Sequence, residues 1–98
     1  MSRKDLLDFL NERGFEDTIL LEGEDFDESI VGFTDEGHLI YSYDSMVDNL
    51  AKDYIKEGVE EEMAYSEAME FIDYNTIRAI PYMKSQGKEP IIQYSFNI

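Results

Sequence analysis

The chain has 98 residues, 43% of them hydrophobic, and carries 23 Asp and Glu against 8 Lys and Arg, a formal net charge of −15. That length fits one domain, and the apolar fraction is enough to close a core, which excludes the depleted profile of a disordered chain. A field of this sign repels nucleic acid and anionic membranes, because phosphate binding requires clustered Lys and Arg, so direct nucleic-acid binding and membrane adsorption are excluded as well.

The elements follow in chain order. Ser2 reads as an N-cap, Leu6, Leu7, Phe9 and Leu10 as an apolar stripe, and Gly14 as the stop of a helix over 3–13. Thr18 to Leu21 is a short apolar run that reads as a strand, followed by an acidic loop from Glu22 to Glu28. Ile30 to Thr34 and His38 to Tyr43 flank Asp35-Glu36-Gly37 and predict a hairpin over 29–43, with Gly37 at positive φ. Leu39, Tyr41 and Tyr43 share its buried face.

Asp44 or Ser45 can cap the next helix, over 45–57, whose stripe is Met46, Val47, Leu50, Ala51, Tyr54 and Ile55, with Gly58 past its end. Tyr65, Ala68, Met69 and Ile72 repeat that spacing in a third helix beginning between Glu60 and Ser66. Asn75 is placed to cap a short turn through Ile80, where Pro81 disfavours further helix. Ile91 to Phe96 reads as the last strand. The expected fold is one α+β domain over 1–98: a small antiparallel sheet, the hairpin plus two further strands, with helices on one face and the order α-β-β-β-α-α-β.

Asp44-Ser45-Met46-Val47, the run from Tyr65 to Met83, and Pro90-Ile91-Ile92 resemble a group of short acidic proteins of Gram-positive bacteria and their phages. The resemblance covers about the last two-thirds of the chain, and no catalytic or binding residue transfers with it. It implies a mobile-element setting, in which small acidic proteins resemble inhibitors of host defence of the anti-CRISPR or anti-restriction type.

Motifs for chemistry are missing. Without cysteine there is no disulfide framework, thiolate zinc site or Cys nucleophile, and a reducing, cytoplasmic setting is expected. Met1 to Asp5 leads into no continuous apolar region of the kind a signal peptide has, and no stretch approaches the roughly 18 apolar residues of a membrane span. The single histidine, His38, reads as a hairpin residue, and the glycines are too scattered to cradle a phosphate. Asp25, Asp27, Ser29 and Glu36 fall at positions one, three, five and twelve of a calcium-loop frame, but Ile30 stands where that loop needs glycine. The expectation is therefore a non-enzymatic protein with no catalytic residue, metal or cofactor.

Two binding readings remain. From Glu16 to Asp73 there are 19 acids against Lys52 and Lys56, so the middle of the chain is the acidic body. Carboxylates two apart on a strand face or four apart on a helix stand about 6 to 7 Å apart, close to the phosphate spacing along one DNA strand. Glu24, Asp25, Asp27, Glu28, Asp48, Glu57, Glu61 and Glu70 are the candidate acids for a nucleic-acid decoy that occupies the groove of a basic, nucleic-acid-binding partner protein. The alternative is a structural or regulatory protein that forms a homodimer or binds a host protein through a tyrosine-rich face, with Tyr74, Arg78 and Tyr82 at its centre and Tyr94 beside them. Within that cluster Arg78 is expected to pair with a local acid such as Asp73.

Overall fold

The structure is a computed structural model and describes residues 2–95. The first helix, α1 (Arg3–Glu12), starts where the Ser2 hydroxyl accepts the Asp5 N–H at 3.1 Å. It stops at Gly14, whose φ of 76° reverses the chain. Leu6 and Leu10 are its buried residues and Leu7, on the flank, stays exposed. The acidic segment expected as a loop winds into a 3-10 turn over Glu24–Ser29. The hairpin follows, with β1 (Ile30–Phe33) and β2 (Leu39–Ser42) joined through Gly37 at φ 98°.

The second helix, α2 (Tyr43–Lys56), begins directly after β2, with the Ser42 hydroxyl accepting the Ser45 N–H at 3.3 Å. The cap is thus Ser42 rather than Asp44 or Ser45, and Tyr43 belongs to the helix, not the strand. The third helix, α3 (Glu61–Phe71), packs against α2. Ala51, Ala64 and Ala68 are fully buried, and their small side chains let the two axes approach closely. The helical winding does not stop with α3. It widens into a π-helical turn over Ile72–Thr76 and then tightens into a 3-10 run over Ile77–Met83. Asn75 caps nothing; its side-chain Nδ2 donates to the Phe71 carbonyl at 3.1 Å. The tighter 3-10 winding carries the chain past Pro81 by avoiding the clash that its ring would make with the carbonyl four residues back in an α-helix.

The α+β class stands, but the sheet is three-stranded and mixed rather than antiparallel. Its order is β1-β2-β3, with β3 (Ile91–Gln93) parallel to β2: Ile40 lies beside Ile91, Tyr41 beside Ile92 and Ser42 beside Gln93. The parallel direction follows from the connection, because α2 and α3 carry the chain back to the end of the sheet from which β2 started. β1 and β2 are antiparallel, with a bulge between Ile30 and Gly32. Thr18 to Leu21 is not a fourth strand. Only Thr18 bridges, to Lys88, supported by Ile19 N–H to the Lys88 carbonyl at 3.0 Å and Lys88 N–H to the Asp17 carbonyl at 2.8 Å. The ladder stops because the Leu21 N–H turns to the Tyr41 hydroxyl at 3.1 Å, drawing Leu21 into the core. The strand expected to reach Phe96 pairs only to Gln93, and Phe96 lies outside the described residues.

One apolar cluster joins these elements. Leu39 and Tyr41 of β2 are buried among Leu6, Leu10, Leu21, Met46, Val47 and Ile72, while on the other side of the sheet Ile40 is half-buried and Ile91 exposed.

Candidate functional site

The fold divides the candidate acids into tied and free groups. Asp27 is tied: its carboxylate receives Arg3 Nε at 2.7 Å and Nη2 at 3.0 Å, and its side chain is only 7% exposed. That hydrogen bond holds the Arg3 guanidinium above its ordinary pKa. Asp48 is tied as well, accepting Lys52 Nζ at 2.9 Å and the Tyr65 hydroxyl at 2.8 Å. The Lys52 bond first, and the Tyr65 bond second, hold the Asp48 carboxyl below its usual range.

Glu24, Asp25, Glu28, Glu57, Glu61 and Glu70 are exposed, and none takes part in an ion pair among the described residues. Five of them fall in two places, and Glu70 stands apart, next to last in α3. Glu24, Asp25 and Glu28 sit on the 3-10 turn, which meets the start of α2 through the Ser29 and Ser45 hydroxyls, 3.0 Å apart. Glu57 and Glu61 flank the turn between α2 and α3 at the far end of α2, about 20 Å away at 1.5 Å per residue. Glu61 lies at the positive end of α3, whereas Glu57 sits at the C-terminus of α2, where the macrodipole disfavours an acid.

The tyrosine-rich face takes its shape from the π-helical turn. Tyr74 and Tyr82 are 61% and 79% exposed, and the Arg78 guanidinium lies 5.3 Å over the Tyr74 ring. The expected Arg78–Asp73 pair does not form: Asp73 accepts the Tyr43 hydroxyl at 3.0 Å, and the Arg78 guanidinium turns to the Tyr74 ring. Burial first, then that hydrogen bond, pushes the Tyr43 hydroxyl up to about 12. Tyr94 packs on Tyr43 with ring centroids 4.8 Å apart. Phe71 is exposed beside this face and lines a cavity of about 170 Å³ with Asn75 and Met83.

A second surface was not foreseen. α1 and β1 enclose a groove of about 460 Å³ lined by Leu6, Phe9, Ile30, Phe33 and Leu39, with Asp27 and Glu28 at one end. Its signal in the sequence was the aromatic pair Phe9 and Phe33, whose rings meet edge to face at 5.3 Å.

His38 fastens the hairpin to the segment before β3, its Nδ1 lying 2.8 Å from the Glu89 carbonyl oxygen and 3.5 Å from the Glu89 carboxylate. Among the described residues no three His, Asp or Glu side chains gather to hold a metal ion, and no helix is long and apolar enough to cross a membrane. No family model matches the chain, and neither a curated protein nor a solved structure matches it.

Proposed function

We propose that the chain is a cytoplasmic, non-enzymatic acidic binding protein that acts as a nucleic-acid decoy, entering the basic groove of a nucleic-acid-binding host defence protein. The observation that carries this reading is the set of six exposed acids left without an ion-pair partner among the described residues. Two of the eight candidates, Asp27 and Asp48, serve the fold and leave the decoy set. Glu57 adds weight, since an acid at a helix C-terminus is placed against local stability.

The test uses two variants, one with Glu24, Asp25 and Glu28 changed to Gln, Asn and Gln, the other with Glu57, Glu61 and Glu70 changed to Gln. Each is compared with the unchanged protein in pull-downs from bacterial cells that carry defence systems. Long-range attraction weakens as the Debye length shortens from about 10 Å at 0.1 M salt to about 3 Å at 1 M. Capture of a nucleic-acid-binding protein should fall with salt, fall in at least one variant, and compete with added nucleic acid. Capture insensitive to all three would remove the decoy reading.

One observation favours the second reading, a protein interface on the tyrosine-rich face. Arg78 stacked on Tyr74 beside exposed Tyr82 presents the residue types enriched at binding hot spots. Truncating Tyr74, Arg78 and Tyr82 to Ala should then abolish capture while the acid variants retain it.

A further inference from the structure

The groove beside β1 combines three features. β1 is an edge strand, and among the described residues no strand pairs with its outer side. The Thr34 N–H donates to the His38 carbonyl at 2.8 Å, so the alternation of an antiparallel ladder turns the Phe33 N–H and C=O outward. β1 is short and bulged, two of the devices that blunt natural edges, but it carries neither charge nor Pro, reading Ile-Val-Gly-Phe with Val31 58% exposed.

α1 lies alongside this edge. Arg3, at its start, bonds Asp27 just before β1, and Arg13, just past its end, lies 5.0 Å over the Phe33 ring at the end of β1. Helix and strand therefore run in the same direction with the apolar groove between them. Gly32 adds a third point. Its φ is ordinary, and a Cβ there would meet only Ile40, at 3.9 Å, so neither backbone conformation nor packing requires glycine. Glycine inside a strand marks a bulge, which β1 has between Ile30 and Gly32, or close approach by another backbone, for which its bare edge leaves room.

Charge selects the occupant. Glu28 stands at the groove without an ion-pair partner among the described residues, and Asp27 is already neutralised by Arg3. A second copy would bring acid to acid on chains that each carry −15. We propose that the groove takes an extended segment of a partner protein as a fourth strand at β1, with alternate apolar side chains in the groove and a Lys or Arg beside Glu28. This rests on the binding-protein reading only for the sign of the partner's charge; the anchor is main-chain pairing, as in other strand-addition complexes.

The probe is a set of capped synthetic peptides, Lys-X-Thr-X-Thr-Lys, with X drawn from Val, Ile, Leu and Phe, titrated into the isotope-labelled full chain and followed by amide chemical shifts. At least one member should shift Leu6, Phe9, Val31 and Phe33 together. Replacing both lysines by glutamate, or methylating a central backbone nitrogen, should weaken binding at least about tenfold. Glu28→Lys should reverse the preference between the lysine and glutamate peptides. The variant with Glu57, Glu61 and Glu70 changed to Gln should bind the peptides unchanged, so this proposal and the decoy reading fail separately. The proposal is overturned if no peptide shifts those amides at about 1 mM, if the methylated peptide binds equally well, or if sedimentation shows a dimer that disperses on substitution at Val31.

Discussion

The sheet end of the molecule and its helical arm are held together differently. In the sheet end the polar contacts join residues far apart in the chain: Arg3 with Asp27, Thr18 with Gly37, His38 with Glu89, and Asp17 with Lys88. In the arm, α2 and α3 meet through buried alanines and a stripe of helical period, with the Lys52–Asp48 pair spanning a single turn and the Tyr65 hydroxyl donating to Asp48 across the two helices. Where periodicity does most of the building, the remaining surface charge is free to vary; where distant backbone segments must meet, single positions become indispensable.

The largest effect should come from the sheet end. A Cβ at Gly87 would collide with the Asp17 carbonyl, backbone against backbone, so Gly87→Ala must break the bridge between Thr18 and Lys88. We expect a loss of about 3 kcal/mol, read from urea melts. A loss under about 1 kcal/mol would mean that this junction yields, and the contrast with the arm would collapse.

Arg3→Ala comes next. It leaves the nearly buried Asp27 carboxylate without its partner, which should cost about 1 to 2 kcal/mol in the same melts. Asp27→Asn with Arg3→Ala together should recover part of that loss, because no buried charge is then left unpaired.

How much of this was legible follows from the same division. α2, α3, the hairpin and the stops at Gly14 and Gly58 could be read from period and turn residues, because each is specified locally. Thr18 to Leu21 looked like a strand because apolar runs of that length do, but its partners, Lys88 and the Tyr41 hydroxyl, come from distant parts of the chain. The parallel direction of β3 was hidden for the same reason. The candidate acids could be counted, but counting could not separate Asp27 and Asp48 from the rest, since their partners Arg3 and Tyr65 are fixed by tertiary packing. The groove needed two elements at once, Phe9 on α1 and Phe33 on β1.

Tyr43 joins the two regions and gives a smaller effect with a pH signature. Tyr43→Phe removes the hydrogen bond to Asp73 and should cost about 1 kcal/mol at neutral pH. The folded protein favours the protonated phenol, so this contribution is complete below pH 10 and is lost as pH rises from 10 through about 12. Melts across that range should therefore show a shallower alkaline loss in Tyr43→Phe than in the unchanged protein. Equal slopes would remove Asp73 as the tie between the start of α2 and the turn that follows α3.

The smallest effect belongs to the arm. Changing Glu57, Glu61 and Glu70 to Gln should alter stability by no more than about 0.5 kcal/mol in melts, with relief of repulsion at Glu57 offsetting the lost helix-start interaction at Glu61. A large destabilisation would show that these acids serve the fold rather than a partner.

The parallel pairing of β2 with β3 also sets an order of assembly. The whole of α2 and α3 lies between the two strands, so the third strand can dock only after a long loop closes, and prior packing of the arm shortens that loop. Pulse-labelled hydrogen exchange during refolding should accordingly protect amides of α2 before those of β3. In the interval the Ile40 to Ser42 edge of β2 stands open, and a crowded solution of refolding chains would meet there its best opportunity to pair one molecule with another.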